Sequence, residues 1–320
     1  MLRKTALLIF AFLSVLGAQV PARIAVARFS PVPLWPQNGD TTQLPKGQYV
    51  FYDPPAGEYV IYYTASTGTS QAEQPTLLRF GTHSLVSPQM NVTVASTGSG
   101  TFQYIYDISN RSDAKQPIQK ISMLVYSDSS PHAAQTSWSS TVGSSGVRDL
   151  AAPAATASAI DWTPNIASQS ISPGSTVTGF TVDSTSRPGF IRVIFRGAST
   201  SHEYNSTAVA SLPKEVRDQV ASVFTLAWDA KTILAIGPRF SKGASQSQIA
   251  QNFFFGIQSL MRDGKLDPNS PFIQSTMRLL SGQLESNDTV TLNVNSLALS
   301  EAKAGLEATI ANALQAVLAQ

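Results

Sequence analysis

Reactive side chains are few in this sequence of 320 residues, and they are scattered. There is no cysteine, which removes disulfides, thiolate metal sites and thiol nucleophiles. The three histidines, His83, His132 and His202, stand far apart and form no His-x-x-x-His pair. A nucleophile elbow needs Gly-x-Ser-x-Gly, and the runs Gly98-Ser99-Gly100 and Gly143 to Gly146 have the wrong spacing. Ser-x-x-Lys begins at Ser112, Ser211 and Ser300, without the companion motifs of the lactamases. Asp263, Asp267 and Asn269 space oxygens like part of a calcium loop. Pro268 and Gln274 replace its Gly and Glu, so the run reads as an interhelical turn. Acid–base chemistry by paired carboxylates would need residues distant in sequence, with Asp107, Asp161 and Asp183 as candidates. Phosphate-cradling glycine loops are absent. No cofactor or metal is expected.

Two groups of residues suit binding better than catalysis. Tyr49, Phe51, Tyr52, Tyr59, Tyr62 and Tyr63 place six aromatics in fifteen positions, where 9% usage predicts about one. Aromatic rows on strands stack on sugar rings or partner chains, and they also pack across strands. A hairpin closed by Pro54–Gly57 pairs Tyr52 with Tyr59 and Tyr49 with Tyr62, on opposite faces. One of these pairs is expected to pack on the body of the protein and the other to face a ligand. The second group is Arg192 and Arg196, on one face of a strand whose other face is Ile191, Val193 and Phe195. That spacing could clamp an anionic ligand.

The elements that must carry these residues change character along the chain. From about 20 to 210 the pattern is β. Gln48–Asp53 and Glu58–Thr64 flank a Pro/Gly turn. Phe102, Tyr104, Tyr106 and Ile108 alternate, as do Ile121, Met123 and Val125, and Thr176–Val182 and Phe190–Arg196 are further strands. Residues 139–159, rich in Ser, Gly and Ala, read as a long surface loop within that β region. From Ser211 the period becomes helical, with Val216, Val220 and Val223 on one face and Gly237-Pro238 as a stop. Ser245 and Gln248 form a capping box ahead of Ile249, Phe253, Ile257 and Leu260. Further helices are expected from Ser270-Pro271 and from Ser300, with a strand at Thr289–Asn295 between them.

The chain begins with Arg3 and Lys4, then a mostly apolar run to Leu16, then Gly17 and Ala18. That order is the grammar of a secretory signal, cleaved between Gly17 and Gln19. The run is too short for a spanning helix of about 20 residues, so no membrane span is expected after signal removal. The expected location is secreted or periplasmic. Twenty-two basic and 20 acidic side chains give a net charge of +2. No broad cationic surface is forced, which argues against a nucleic-acid partner.

Tyr104-x-Tyr106-x-Ile108-x-Asn110, Trp138, Trp162, Ile171-x-Pro173-Gly174, Gly179-Phe180 and Pro188-Gly189 resemble the turns and core positions of immunoglobulin-like sandwich modules in secreted bacterial proteins. The resemblance covers about 87–208. It implies a sandwich outside the cytoplasm and implies no activity. The cysteine pair of antibody domains is absent. The expected fold class is α+β: an antiparallel immunoglobulin-like β-sandwich with an N-terminal β-hairpin region and a C-terminal helical region. The expected divisions are a signal at 1–18, the hairpin region at 19–86, the sandwich at 87–208 and the helical region at 209–320. The expected role is a secreted, non-catalytic binding or structural protein recognising a polysaccharide or a partner protein. The alternative is a secreted hydrolase with a site assembled from distant residues.

Overall fold

A computed structural model describes residues 32–64, 75–98, 100–125, 129–132, 136–148, 156–198, 209–223, 230–285 and 299–318. The signal expected at 1–18, the strand expected at Thr289–Asn295 and His202 lie outside these residues.

Nine strands build an antiparallel sandwich. One sheet has the order β4 (Pro88–Ser96), β5 (Phe102–Asn110), β10 (Thr176–Ser184), β7 (Ser129–His132). The other has the order β12 (Lys231–Phe240), β11 (Arg187–Gly197), β6 (Ile118–Val125), β9 (Thr156–Pro164), β8 (Trp138–Arg148). The first reproduces the A-B-E-D order of immunoglobulin domains, and β6-β11-β12 reproduces C-F-G. The β8–β9 hairpin is an insertion between D and E that extends the second sheet beyond β6.

Period-2 alternation explains why these strands face each other. Tyr104, Tyr106, Ile108, Phe180 and Val182 point inward from one sheet. Ile121, Met123, Ile160, Trp162, Val193 and Phe195 point inward from the other, and all eleven side chains are fully buried. Trp138 and Trp162 are both core residues, with their rings 5.3 and 5.2 Å from that of Phe180. The Tyr104 hydroxyl donates to the Ser186 carbonyl (2.7 Å) and pins the β10–β11 turn.

A third, three-stranded sheet, β1 (Val50–Asp53), β2 (Glu58–Thr64) and β3 (Pro75–Gly81), precedes the sandwich. Its turn at Pro54–Gly57 fixes the register Tyr52↔Tyr59. Gly57 has φ +64, and the space a Cβ would take there is filled by Leu85, so only glycine closes this turn against the joint that follows. That joint, residues 82–87, is held by polar side chains. Gln116 donates to the Thr82 carbonyl and accepts from the Leu85 N–H, Asn110 accepts from the Ser87 N–H, and His83 Nδ1–H donates to the Gly197 carbonyl.

Four helices are described: α1 (Lys214–Val223), α2 (Gln246–Arg262), α3 (Pro271–Glu285) and α4 (Leu306–Leu318). Ser245 and Gln248 cap α2 reciprocally. Phe253, Ile257 and Leu260 of α2, Phe272, Ile273 and Leu280 of α3 and Ile310, Leu314 and Val317 of α4 belong to the same continuous core as the sandwich. Where β6 ends, the Asn252 side chain takes the place of a strand, accepting from the Phe190 N–H and donating to the Phe190 carbonyl. The Arg187 guanidinium gathers the carbonyls of Ser241, Lys242 and Ala244 in the β12–α2 loop. Glu307, buried in the first turn of α4, accepts from Ser270 Oγ and from the Lys303 N–H, and so ties α4 to the start of α3.

Two local expectations change. Within the region expected to be mainly helical from 209, the run Thr232–Ile236, which periodicity leaves open, lies in β12, which pairs with β11 from Arg187↔Phe240 to Phe195↔Lys231. Thr232–Ile236 is a short apolar run without period, and cross-strand pairing decides it. The loop expected at 139–159 is largely the β8–β9 hairpin. Its Ser and Thr residues carry little strand signal by themselves, and the ladder to β9 supplies what propensity does not.

Candidate ligand-binding face

Neither tyrosine pair forms an open platform. The pairing is as the turn demands, with Tyr52 opposite Tyr59 and the Tyr62 N–H bonded to the Tyr49 carbonyl. Both faces of the hairpin are nevertheless covered. Val50, Tyr59 and Ile61 pack against Val209, Leu212, Val216 and Val220, where α1 lies on the sheet, and the Tyr52 and Tyr59 rings meet at 4.8 Å. Burial pushes the Tyr52 hydroxyl above its ordinary pKa. Tyr49 donates its hydroxyl to Glu215, and Gln219 of α1 accepts from the backbone N–H groups of Tyr49 and Val50. On the other face Trp35 packs on Phe51 and on Tyr62, each at 5.8 Å. Tyr59 is buried and Tyr49, Tyr52 and Tyr62 are half-buried. The expectation of one exposed pair is therefore corrected. The covering residues come from segments that the hairpin's own sequence cannot reveal.

The same small sheet brings two carboxylates together. Arg79 lies 2.9 Å from Asp53 and 3.0 Å from Glu58, and its guanidinium stands over the Trp35 ring at 6.0 Å. One guanidinium bridging both acids makes an ion-pair lock across β1, β2 and β3, with both carboxylates engaged in it. Asp107 and Asp183 are likewise engaged, accepting from the Gly179 N–H and from Gln103. Among the described residues no group of three or more His, Asp or Glu side chains is placed to hold a metal ion.

The arginines are where alternation puts them. Ile191, Val193 and Phe195 are core, and Arg192 and Arg196 project from the opposite face of the five-stranded sheet. Arg192 is exposed and Arg196 half-buried. Four strand residues separate them by about 13 Å, at about 3.3 Å per residue. At that backbone spacing the two side chains can also contact successive charges of an extended ligand.

The β6–β11 register adds two residues that the sequence reading did not join to this site. Lys120 is directly opposite Arg196, and Ser122, opposite Ile194, is opposite Asp161 on its other side. Lys120 Nζ lies 2.8 Å from Asp161 Oδ2, and Asp161 Oδ1 is buried without a hydrogen-bond partner. The described part of this face carries Arg192, Arg196, Lys120 and Asp161 beside Ser122, Thr141 and Thr232, with Leu124 buried and Ile194 and Leu234 half-buried on the same side. The alternation of Ile121, Met123 and Val125 already turns Lys120 outward; its place beside Arg196 depends on a pairing 76 residues away in sequence, which no local signal encodes.

No family profile matches the chain, and no curated protein does. Among solved structures it is similar to a biomass-sensing module of the Rsgi2 protein of Clostridium thermocellum, described as resembling a family 3 carbohydrate-binding module. Identity there is 12% over 31% of this chain and 65% of that one, with a TM-score of 0.24. It is also similar to an uncharacterised Nocardia farcinica protein with an immunoglobulin-like fold, at 13% identity over 44% of this chain and 95% of that one, TM-score 0.24. A third is a module described as CBM3 from Hungateiclostridium clariflavum, at 13% identity over 50% of this chain and 99% of that one, TM-score 0.24. The chain spans about two thirds of the first of these structures. The α+β sandwich assignment stands on the strand order itself.

Proposed function

We propose that this chain is an exported, non-catalytic binding protein whose ligand is an acidic polysaccharide, held on the outer face of the five-stranded sheet. The observation that carries the reading is the placing of Arg192, Arg196 and Lys120 on one face of neighbouring strands. The spacing of about 13 Å along β11 lets the two arginines meet separate charges of a linear polymer with repeated carboxylates or sulfates. Export is supported by the order of charge, apolar run and small residues in Met1–Ala18. No helix among the described residues is long and apolar enough to cross a membrane.

The test is retention on immobilised polysaccharides of matched length: a polyuronate, a sulfated glycan and a neutral glucan. Retention on the two acidic polymers should weaken as salt shortens the screening length from about 10 Å at 0.1 M to about 3 Å at 1 M. Arg192→Glu should remove it while the unfolding transition stays unchanged. Equal retention on the neutral polymer, or full retention by the Glu variant, would remove the basis of the reading.

A further inference from the structure

A bare strand edge is a template for another strand, and proteins blunt such edges with proline, lysine, bulges or cover. Each other edge of the three sheets carries one of these devices. β1 is covered by a neighbouring segment, with the Trp35 N–H bonded to the Tyr52 carbonyl and the Tyr52 N–H to the Pro33 carbonyl. β3 begins with Pro75 and carries Arg79; β4 begins with Pro88; β7 contains Pro131; β12 contains Lys231, Pro238 and Arg239. β8 is different. From Trp138 to Ser144 it has no proline, no charge and no bulge, and its register with β9 is unbroken.

The phase of that register shows which groups the edge offers. The Asn165 N–H bonds to the Ser137 carbonyl, so residue 137 and every second residue after it point their backbone groups at β9. Trp138, Ser140 and Val142 therefore point theirs away, and among the described residues no strand lies there. Val142 belongs to the inward-facing set with Trp138 and Ser140, yet it is 53% exposed. An apolar side chain thus stands open at the same edge as the unpaired backbone.

We propose that β8 is a self-association edge, which pairs antiparallel with β8 of a second copy about a two-fold axis at Ser140. The strand's own pattern favours a second copy over other occupants. Trp138, Ser140 and Val142 of one chain then meet Val142, Ser140 and Trp138 of the other, so every outward N–H meets an outward carbonyl. The pairing sets an aromatic side chain against a β-branched one twice, a favourable cross-strand combination. No charge opposes it, and the two-fold closes the edge instead of propagating it. The contact is one strand wide, so association is weak and concentration-dependent.

The absence of cysteine gives a clean test. At the two-fold, Ser140→Cys brings two thiols onto Cα atoms about 5.5 Å apart, within disulfide reach. Mild oxidation of this exported chain should give a covalent dimer, whereas Thr232→Cys, on the exposed part of β12, should give none. Sedimentation of the unmodified chain from micromolar to millimolar concentration should show a reversible monomer–dimer equilibrium. Ser140→Pro loses only an outward N–H, so it should keep the fold and raise the dimer dissociation constant by about tenfold or more, about 1.4 kcal/mol. A chain monomeric throughout that range, equal cross-linking of both cysteine variants, or a dimer untouched by Ser140→Pro in a folded chain would overturn the proposal.

Discussion

Close packing makes the same substitution act oppositely at two glycines. A Cβ at Gly256 on α2 would run into the Phe190 ring, while nothing lies within 4 Å of the position a Cβ would take at Gly282 on α3. Gly→Ala in a helix returns up to about 1 kcal/mol of propensity, and overpacking a core contact costs about 1–3 kcal/mol. Denaturant unfolding should therefore show Gly282→Ala stabilised by up to about 1 kcal/mol and Gly256→Ala destabilised. Two buried phenols set the alkaline limit. Burial raises the pKa of Tyr104 and Tyr106 above the ordinary value, Tyr106 strongly. Above pH about 10 the unfolded chain loses these protons and the folded chain keeps them, so stability falls as pH rises from there. Absorbance at the phenolate band should show these two groups ionising only with unfolding; ionisation in the folded protein near pH 10 would mean that they are accessible.

At the level of elements, β12 decides how the chain divides. It pairs along β11, and the helices that follow share the sandwich core. A chain ended at residue 210 leaves that edge of β11 unpaired and exposes Phe190, Ile191 and the Tyr106 region that Gly237 approaches. It should aggregate or lose its cooperative transition in thermal denaturation; a retained sharp transition would mark the C-terminal part as separable. Trp138→Ala and Trp162→Ala in the full chain should each cost about 3–5 kcal/mol. Local signals made much of this legible. The Pro54–Gly57 turn set the tyrosine register, alternation sorted Arg192 and Arg196 from Ile191, Val193 and Phe195, and Ser245 with Gln248 marked the start of α2. What stayed hidden is what distant pairing decides. β8 is mostly Ser, Gly and Thr, with no apolar alternation to find. The cover over the tyrosines comes from α1 and Trp35, and Lys120 meets Arg196 only through the β6–β11 register.

For the whole molecule, the charge is small and its placement matters more than its sum. A net +2 over 320 residues gives little long-range attraction. The outer face of the five-stranded sheet nevertheless concentrates Arg192, Arg196 and Lys120, while the tyrosine-rich sheet is closed on both sides by Trp35 and α1. If this sheet face is the working surface, ligand contact must register there and nowhere else in the β-rich part. Backbone amide shift mapping during titration with a polyuronate oligomer measures this directly. Perturbations should centre on residues 120–124, 159–163 and 192–196 and fade when Arg192 is changed to Glu. Perturbations centred on Tyr49–Tyr63, or none at saturating oligomer, would contradict the account.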